Sequence, residues 1–192
     1  MPSGIQCAKA RGFTLVELMV VVVIAAILAV VAVPSLRVTL RNNQLDTVSN
    51  QLVAALATAR SEAVRAPEAT VRVKNPNAGT QWNAGWNTTI QAPGAAAETP
   101  LQAPTAAPGQ LSVVSNQAGP ISFDAMGRLL LGALNPPPTV IFIVCVDGTQ
   151  PPAGQSRAVI VSPSGRASIA HLDPTGTPVN DVGAPIASCT AP

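Results

Sequence analysis

Glu17 is the residue whose type and position most clearly require a chemical explanation. It is the one charged residue in an apolar run that extends from Phe13 to Val33. A carboxylate in such a run is costly, because the charge loses its hydration, and it is a functional-site candidate for that reason. From the residues alone, two partners can offset the cost: a cation on a neighbouring chain, or the positive end of its own helix.

The apolar run around Glu17 has the length of a membrane-spanning helix. Its roughly 21 residues would extend about 31 Å, close to the thickness of a bilayer core. A secretory signal peptide is the alternative, but its apolar region would be shorter and a cleavage site would follow it. Lys9 and Arg11 precede the run, which places the leader in the cytoplasm and the rest in the periplasm. Arg37 and Arg41 on the far side weaken this asymmetry.

The elements that must position Glu17 begin with one long helix, predicted from Phe13 to about Ala66. Its first part, residues 13–33, is apolar all round, and its second part, residues 34–66, is amphipathic. Pro34 lacks an amide donor and predicts a kink between the two parts. Pro67 ends the helix. Apolar residues recur in the second part at three- and four-residue spacing, and they predict a face that packs on a folded domain: Leu45, Val48, Leu52, Leu56, Ala59 and Ala63.

Residues 67–192 predict a β-rich periplasmic domain of short strands. The near-continuous apolar run Val140–Val146 is typical of a central, buried strand. A hairpin is predicted around Pro163-Ser164-Gly165. Residues 92–110 are rich in Ala, Pro, Gly and Thr and predict a long flexible loop. Further strands are predicted at 69–74, 82–91, 111–115, 121–124, 128–131, 158–162 and 166–171.

The leader and the start of the helix resemble a known signal. Gly12-Phe13-Thr14-Leu15-Val16-Glu17, followed by the unbroken apolar run, resembles the class III signal of type IV pilins and type II secretion pseudopilins. The resemblance implies that residues 1–12 are a leader, that a prepilin peptidase cuts between Gly12 and Phe13, and that the new Phe13 amine is methylated. It also implies that Glu17 guides assembly into a filament by pairing with the Phe13 amine of a neighbouring subunit.

The same resemblance implies an α+β fold, the type IV pilin fold, in which a long N-terminal helix packs on a small antiparallel sheet. Within it the chain resembles the GspH/FimT group in three stretches: Leu56–Ala63, Ile121–Arg128 and Val159–Arg166. Some members of that group bind DNA through a Gly-Arg-x-Arg motif. This chain has Gly165-Arg166-Ala167-Ser168, so the second Arg is replaced by Ser168. Arg166 is therefore a doubtful DNA contact, and we expect DNA to be an improbable partner.

Charge and cysteine content bear on the partners of the processed chain. Removal of Lys9 and Arg11 from the 11 basic residues leaves 9, which equals the number of acidic residues. The net charge therefore predicts no strong nonspecific affinity for nucleic acid. Cys7 is lost with the leader, which leaves Cys145 and Cys189 as an even pair in an oxidising compartment. A disulfide between them is predicted, with two free buried thiols as the alternative.

No catalytic, cofactor or metal-ligand pattern is present in the sequence, and we expect a structural protein. It has no CxxC pair, no phosphate-binding glycine loop, and His171 as its single His. The first hypothesis is a minor pseudopilin at or near the tip of a type II secretion pseudopilus. The second is a minor pilin that primes a type IV pilus, with possible DNA uptake, and the third is a periplasmic binding protein that keeps its anchor uncut. The expected partners are the prepilin peptidase, other minor and major pseudopilins or pilins, and the bacterial inner membrane.

Overall fold

The fold consists of one long helix and nine short strands. A computed structural model describes residues 13–77, 79–102, 104–132, 138–146, 154–186 and 188–189, apart from the side chains at positions 31 and 34. The chain divides into two compact units, Met1–Leu40 and Arg41–Pro192. The helix α1 is Leu15–Arg65, and the strands are β1 Thr70–Lys74, β2 Asn87–Gln91, β3 Thr99–Pro100, β4 Leu111–Ser115, β5 Ile121–Phe123, β6 Leu129–Leu130, β7 Val140–Val146, β8 Ser156–Val161 and β9 Ala167–Ile169.

The strands form two antiparallel sheets, in agreement with the α+β pilin fold that the resemblance implied. The five-stranded sheet has the order β3-β2-β1-β5-β6 and the four-stranded sheet the order β4-β7-β8-β9. Both sheets contribute to one core with the second part of α1. The apolar residues that predicted the packed face of α1 are all buried in that core: Leu45, Val48, Leu52, Leu56, Ala59 and Ala63.

The four-stranded sheet is buried on both faces, which explains why its central strand β7 is almost continuously apolar. Phe142 and Val144 of β7 face the helix, and the ring of Phe142 meets Trp82 edge to face at 4.9 Å. Ile143 and Cys145 face the other way, into a second apolar cluster with Ile186 and Cys189 of the C-terminal tail. We call this second side the tail-covered face.

A disulfide joins Cys145 of β7 to Cys189, with their Cα atoms 6.1 Å apart. The bond holds the end of the chain against the tail-covered face, where Cys189 is buried. The pairing is the one that the sequence predicted from the even count of thiols outside the leader.

The segment 92–110 contains structure that its composition did not predict. Thr99–Pro100 pairs with β2 as strand β3, and Thr105 exchanges backbone hydrogen bonds with Trp86. Glu98 forms ion pairs with Arg72 and Lys74 of β1. The hydrogen bond from Lys74 is the main reason why the pKa of Glu98 is lowered. The prediction of a segment without strand structure was therefore incomplete, while its flexibility stays a prediction.

The helix α1 and two turns meet closely around the Gly127 carbonyl oxygen. The Arg60 Nε–H donates a hydrogen bond of 2.8 Å to the Gly127 carbonyl oxygen. Gly165 adopts a φ of +78°, and a Cβ atom there would lie 1.9 Å from that same oxygen. Arg60, Gly127 and Gly165 belong to three different stretches of sequence, so this contact ties the end of α1 to both sheets.

Gly165→Ala is expected to lower the free energy of unfolding by about 3 kcal/mol. Alanine is strained at a positive φ, and its Cβ atom would clash with the Gly127 carbonyl oxygen. Gly183→Ala is the matched control. Gly183 has a φ of +81°, but a Cβ atom there would have no neighbour within 4 Å. The control should therefore show the strain alone, about 1 kcal/mol. Urea unfolding of both variants measures the difference, and equal losses would contradict the role of the contact.

Candidate functional site

The N-terminal part of α1 is an apolar surface that is exposed in the part of the chain that the structure describes. Every described side chain from Phe13 to Leu40 is exposed. Phe13 is 85% exposed and Leu15 75%. A continuous exposed surface of Val, Ile, Leu and Ala is not stable in water, because it forgoes the hydrophobic stabilisation of burial. This surface must be covered by lipid, by other helices, or by each in turn.

Glu17 lies in the first turn of this exposed helix and is bound to Thr14. The Glu17 carboxylate accepts hydrogen bonds from the Thr14 amide and the Thr14 hydroxyl, both at 3.2 Å, and the Glu17 amide donates to the same hydroxyl at 3.2 Å. This is a capping box, in which Thr14 is the N-cap of α1 and Glu17 its third residue. The negative charge also lies at the positive end of the helix dipole.

The capping box decides how Glu17 is satisfied in a single chain. The carboxylate already has donors, and the helix begins at Leu15, two residues later than the sequence analysis expected. Any cation supplied by a neighbour must therefore add to the Thr14 bonds or replace them. The carboxylate remains accessible for this, since both groups of the capping box are exposed.

Among the described residues, no single helix is long and apolar enough to cross a membrane. Leu15–Val30 and Ser35–Arg65 meet the requirement together, with a bend of 45° between them. Pro34 lies in the break, where a kink was expected because proline lacks an amide donor. Its side chain is outside the described residues. Attribution of the bend to Pro34 stays a prediction.

Arg166 lies beside an open groove of about 570 Å³. The groove runs between β9 and the tail residues Val179–Asp181, and Ser164, Ser168 and His171 also line it. The Arg166 side chain is exposed and forms no hydrogen bond or ion pair with any described residue. Arg60 points elsewhere, toward Gly127, so the groove contains one arginine and not a pair.

Asp124 and Asp173, two acidic residues outside α1, serve turns. Partial burial raises the pKa of Asp124, but hydrogen bonds from the amide and guanidinium of Arg128 and the amide of Met126 outweigh it, and the net pKa is lowered. Asp173 accepts bonds from the Thr175 hydroxyl and the Thr177 amide, which lower its pKa. Within the described ranges no three His, Cys, Asp or Glu side chains lie close enough to hold a metal ion.

Comparison with known families decides the identity of the fold. Residues 48–165, more than half of the chain, match the family described as Type II transport protein GspH. The chain belongs to the GspH family. Residues 7–33 match the prokaryotic N-terminal methylation motif. That motif implies processing by a prepilin peptidase, anchoring in the inner membrane and assembly with other pilin-like subunits.

Solved structures support the same fold. The crystal structure of the type IV minor pilin FimU of Pseudomonas aeruginosa matches with a TM-score of 0.52 at 24% identity, over 71% of this chain and 92% of that one. A second crystal form of FimU matches with a TM-score of 0.48 at 24% identity, over 70% of this chain and 96% of that one. A search of curated proteins by sequence found no match. The chain has the type IV pilin fold and is a minor pilin or pseudopilin of the GspH family.

The close contact described above joins the three stretches that resemble the GspH/FimT group. Arg60, Gly127 and Gly165 come from the three stretches whose resemblance to this family was visible in the sequence, and the structure brings them together. The structure does not bring Arg166 to that contact. Gly12 lies outside the described residues, so the cleavage site itself stays a prediction. Thr14 is the functional residue that the sequence analysis missed, although Thr14-x-x-Glu17 before an apolar run is a readable capping signal.

Proposed function

We propose that this GspH-family chain is a minor pseudopilin of a type II secretion system, a structural subunit at or near the tip of the pseudopilus. The observation that carries the proposal is the exposed apolar helix with one carboxylate in its first turn. The match of residues 48–165 to a family described as Type II transport protein GspH is compatible with a secretion role. The tip position rests on the resemblance to the GspH/FimT group, which contains the minor pseudopilin H of type II secretion.

The proposed assembly step follows from the chemistry of the processed N-terminus. Cleavage after Gly12 creates a cationic amine on Phe13, which is methylated. When two helices pack side by side with an axial offset, Glu17 of one meets the Phe13 amine of the other. Each charge then lowers the desolvation cost of its partner, and the pair forms only between subunits. The exposed apolar surface that follows becomes buried in the filament, so insertion is favoured by burial and guided by charge.

A minor pilin of a type IV pilus is the alternative, and the fold is compatible with it. Complementation of a deletion strain separates the two. The proposal expects that this gene restores secretion of type II substrates and leaves piliation unchanged. Restoration of piliation or DNA uptake without an effect on secretion would replace it by the alternative.

Arg166→Ala is expected to change DNA binding little. A single unpaired arginine contributes one phosphate contact at most, and the net charge of the processed chain is near zero. Fluorescence anisotropy of a fragment from Leu36 with a duplex oligonucleotide, at low and moderate salt, should show weak binding and less than about a threefold loss. Tight, salt-sensitive binding that disappears in Arg166→Ala would favour a role in DNA uptake.

A further inference from the structure

One sheet edge of the β-rich unit is open, and the groove beside Arg166 follows it. In the hairpin of β8 and β9, the Ala170 amide donates to the Ala158 carbonyl and the Ser162 amide to the Arg166 carbonyl. Antiparallel pairs alternate between bonded and non-bonded. The pairs Val159–Ile169 and Val161–Ala167 are therefore non-bonded, and the N–H and C=O groups of Ala167 and Ile169 point away from β8.

These outward backbone groups have no hydrogen-bond partner among the residues that the structure describes. The tail supplies a partner further along the same edge, because the Val179 amide donates to the His171 carbonyl at 2.9 Å. It then turns back on itself through the bond from the Asn180 amide to the Ala184 carbonyl. The groove borders this edge at Ile169 and extends over the tail-covered face, where Ile160 and Ala170 line it.

The other sheet edges are protected. Residues 80–83 cover β4. The Trp82 amide donates to the Val113 carbonyl, and the Ser115 amide donates to the Thr80 carbonyl. On β6 the outward Leu129 amide donates to the Pro163 carbonyl. Strand β3 has two residues, one of them Pro100, which has no amide donor. Proteins normally blunt such edges, so the exception at β9 indicates a site for strand addition.

We propose that the β9 edge binds an extended segment of a second protein, in which apolar residues alternate with Asp or Glu. The two faces of β9 set this chemistry. Ala167 and Ile169 are partly buried against the core on the helix side, so residues beside them should be apolar. Arg166 and Ser168 lie on the opposite face and line the groove, and the Arg166 guanidinium has no partner within the described ranges.

The acidic residue of the groove fixes where the partner's carboxylate belongs. Asp181 also lines the groove, and its Oδ2 accepts a hydrogen bond from the Thr139 hydroxyl at 3.4 Å. A carboxylate of the partner is therefore expected beside Arg166 and not beside Asp181. The site is separate from Glu17, so the proposal holds whether the chain enters a pseudopilus or a pilus.

A fluorescent peptide of alternating Val and Glu is the probe, tested on the full mature chain in detergent. Anisotropy should show binding, and hydrogen exchange of the Ala167 and Ile169 amides should slow at least about tenfold when the peptide is bound. A peptide with Lys in place of Glu should bind at least about tenfold more weakly. Absence of amide protection in the wild-type chain would overturn the proposal.

Two kinds of variant locate the site. Ile169→Pro removes one outward amide and keeps the β8–β9 bonds, and it should weaken peptide binding about tenfold or more. Arg166→Gln should weaken binding of the Glu peptide, while Arg65→Gln, an exposed arginine outside the groove, should not. Wild-type affinity in both Ile169→Pro and Arg166→Gln would place the peptide elsewhere.

Two other occupants would contradict the proposal. If a higher protein concentration protects the same amides without peptide, and sedimentation shows a dimer, then a second copy of this chain fills the edge. Binding of a duplex oligonucleotide that depends on Arg166, without peptide binding, would mean a nucleic-acid site. Because the amides are followed in the wild-type chain, the test stands even if the proline variant fails to fold.

Discussion

Glu17→Ala is expected to impair incorporation of this subunit into its filament. In the proposed assembly step, the substitution removes the carboxylate that would pair with the Phe13 amine of a neighbour, and that amine would then be buried without a partner. Breaking a buried pair in this way costs about 3–5 kcal/mol. Membrane insertion and cleavage should remain intact, since the segment becomes more apolar. Co-purification with other pilin-like subunits, and secretion in a deletion strain, measure the effect.

Two further variants separate assembly from helix capping. Thr14→Ala removes the N-cap, which costs about 1 kcal/mol, and keeps the Glu17 carboxylate. It should assemble better than Glu17→Ala if pairing between subunits matters most. Glu17→Gln should fail if charge is needed and work in part if a hydrogen bond is enough. A partial defect in Glu17→Ala would indicate a tip position with fewer neighbours, and full complementation would show that the acid has no role in assembly.

Cys145→Ala is expected to lower the free energy of unfolding by roughly 4 kcal/mol, the largest stability effect that we expect. The bond closes a loop between Cys145 and Cys189, which are separated by 44 positions in the sequence, and its loss returns that conformational freedom to the unfolded chain. The tail would also leave the face on which Ile186 and Cys189 lie buried. Urea unfolding of the mature chain, with and without reductant, measures the change.

Cysteine variants provide the controls for this prediction. Cys189→Ala should match Cys145→Ala, and the double variant should be no less stable than either, because all three lack the same bond. Cys7→Ser should leave stability unchanged, since Cys7 belongs to the leader. Free labelling of both thiols in unfolded, unreduced protein from the periplasm would contradict the bond.

Periodicity in the sequence predicted the parts of the fold that depend on local pattern and burial. The spacing from Leu45 to Ala63 identified the packed face of α1, and the run Val140–Val146 identified the central strand. Strand β3 could not be predicted, because it has two residues, Pro100 is unfavourable in strands, and Glu98 beside it contacts residues distant in sequence.

The candidate site was predictable in chemistry and less so in geometry. Glu17 could be identified because a charge in an apolar run is costly. Its bond to Thr14 was readable as a capping box but was missed, because the run was treated as a membrane segment from its first residue. The open edge at Ala167 and Ile169 depends on the register of β8 with β9 and on the path of the tail, neither of which a sequence pattern specifies.

The mass of the mature N-terminus tests the central claim most directly. Mass spectrometry of the membrane-extracted chain should show a protein that begins with N-methylated Phe13. Gly12→Val should keep the leader, because the peptidase site requires a small residue at that position, while the neutral leader variant Cys7→Ser should be cut normally. A mature chain that begins at any residue other than Phe13 would contradict its assignment as a pilin-like subunit.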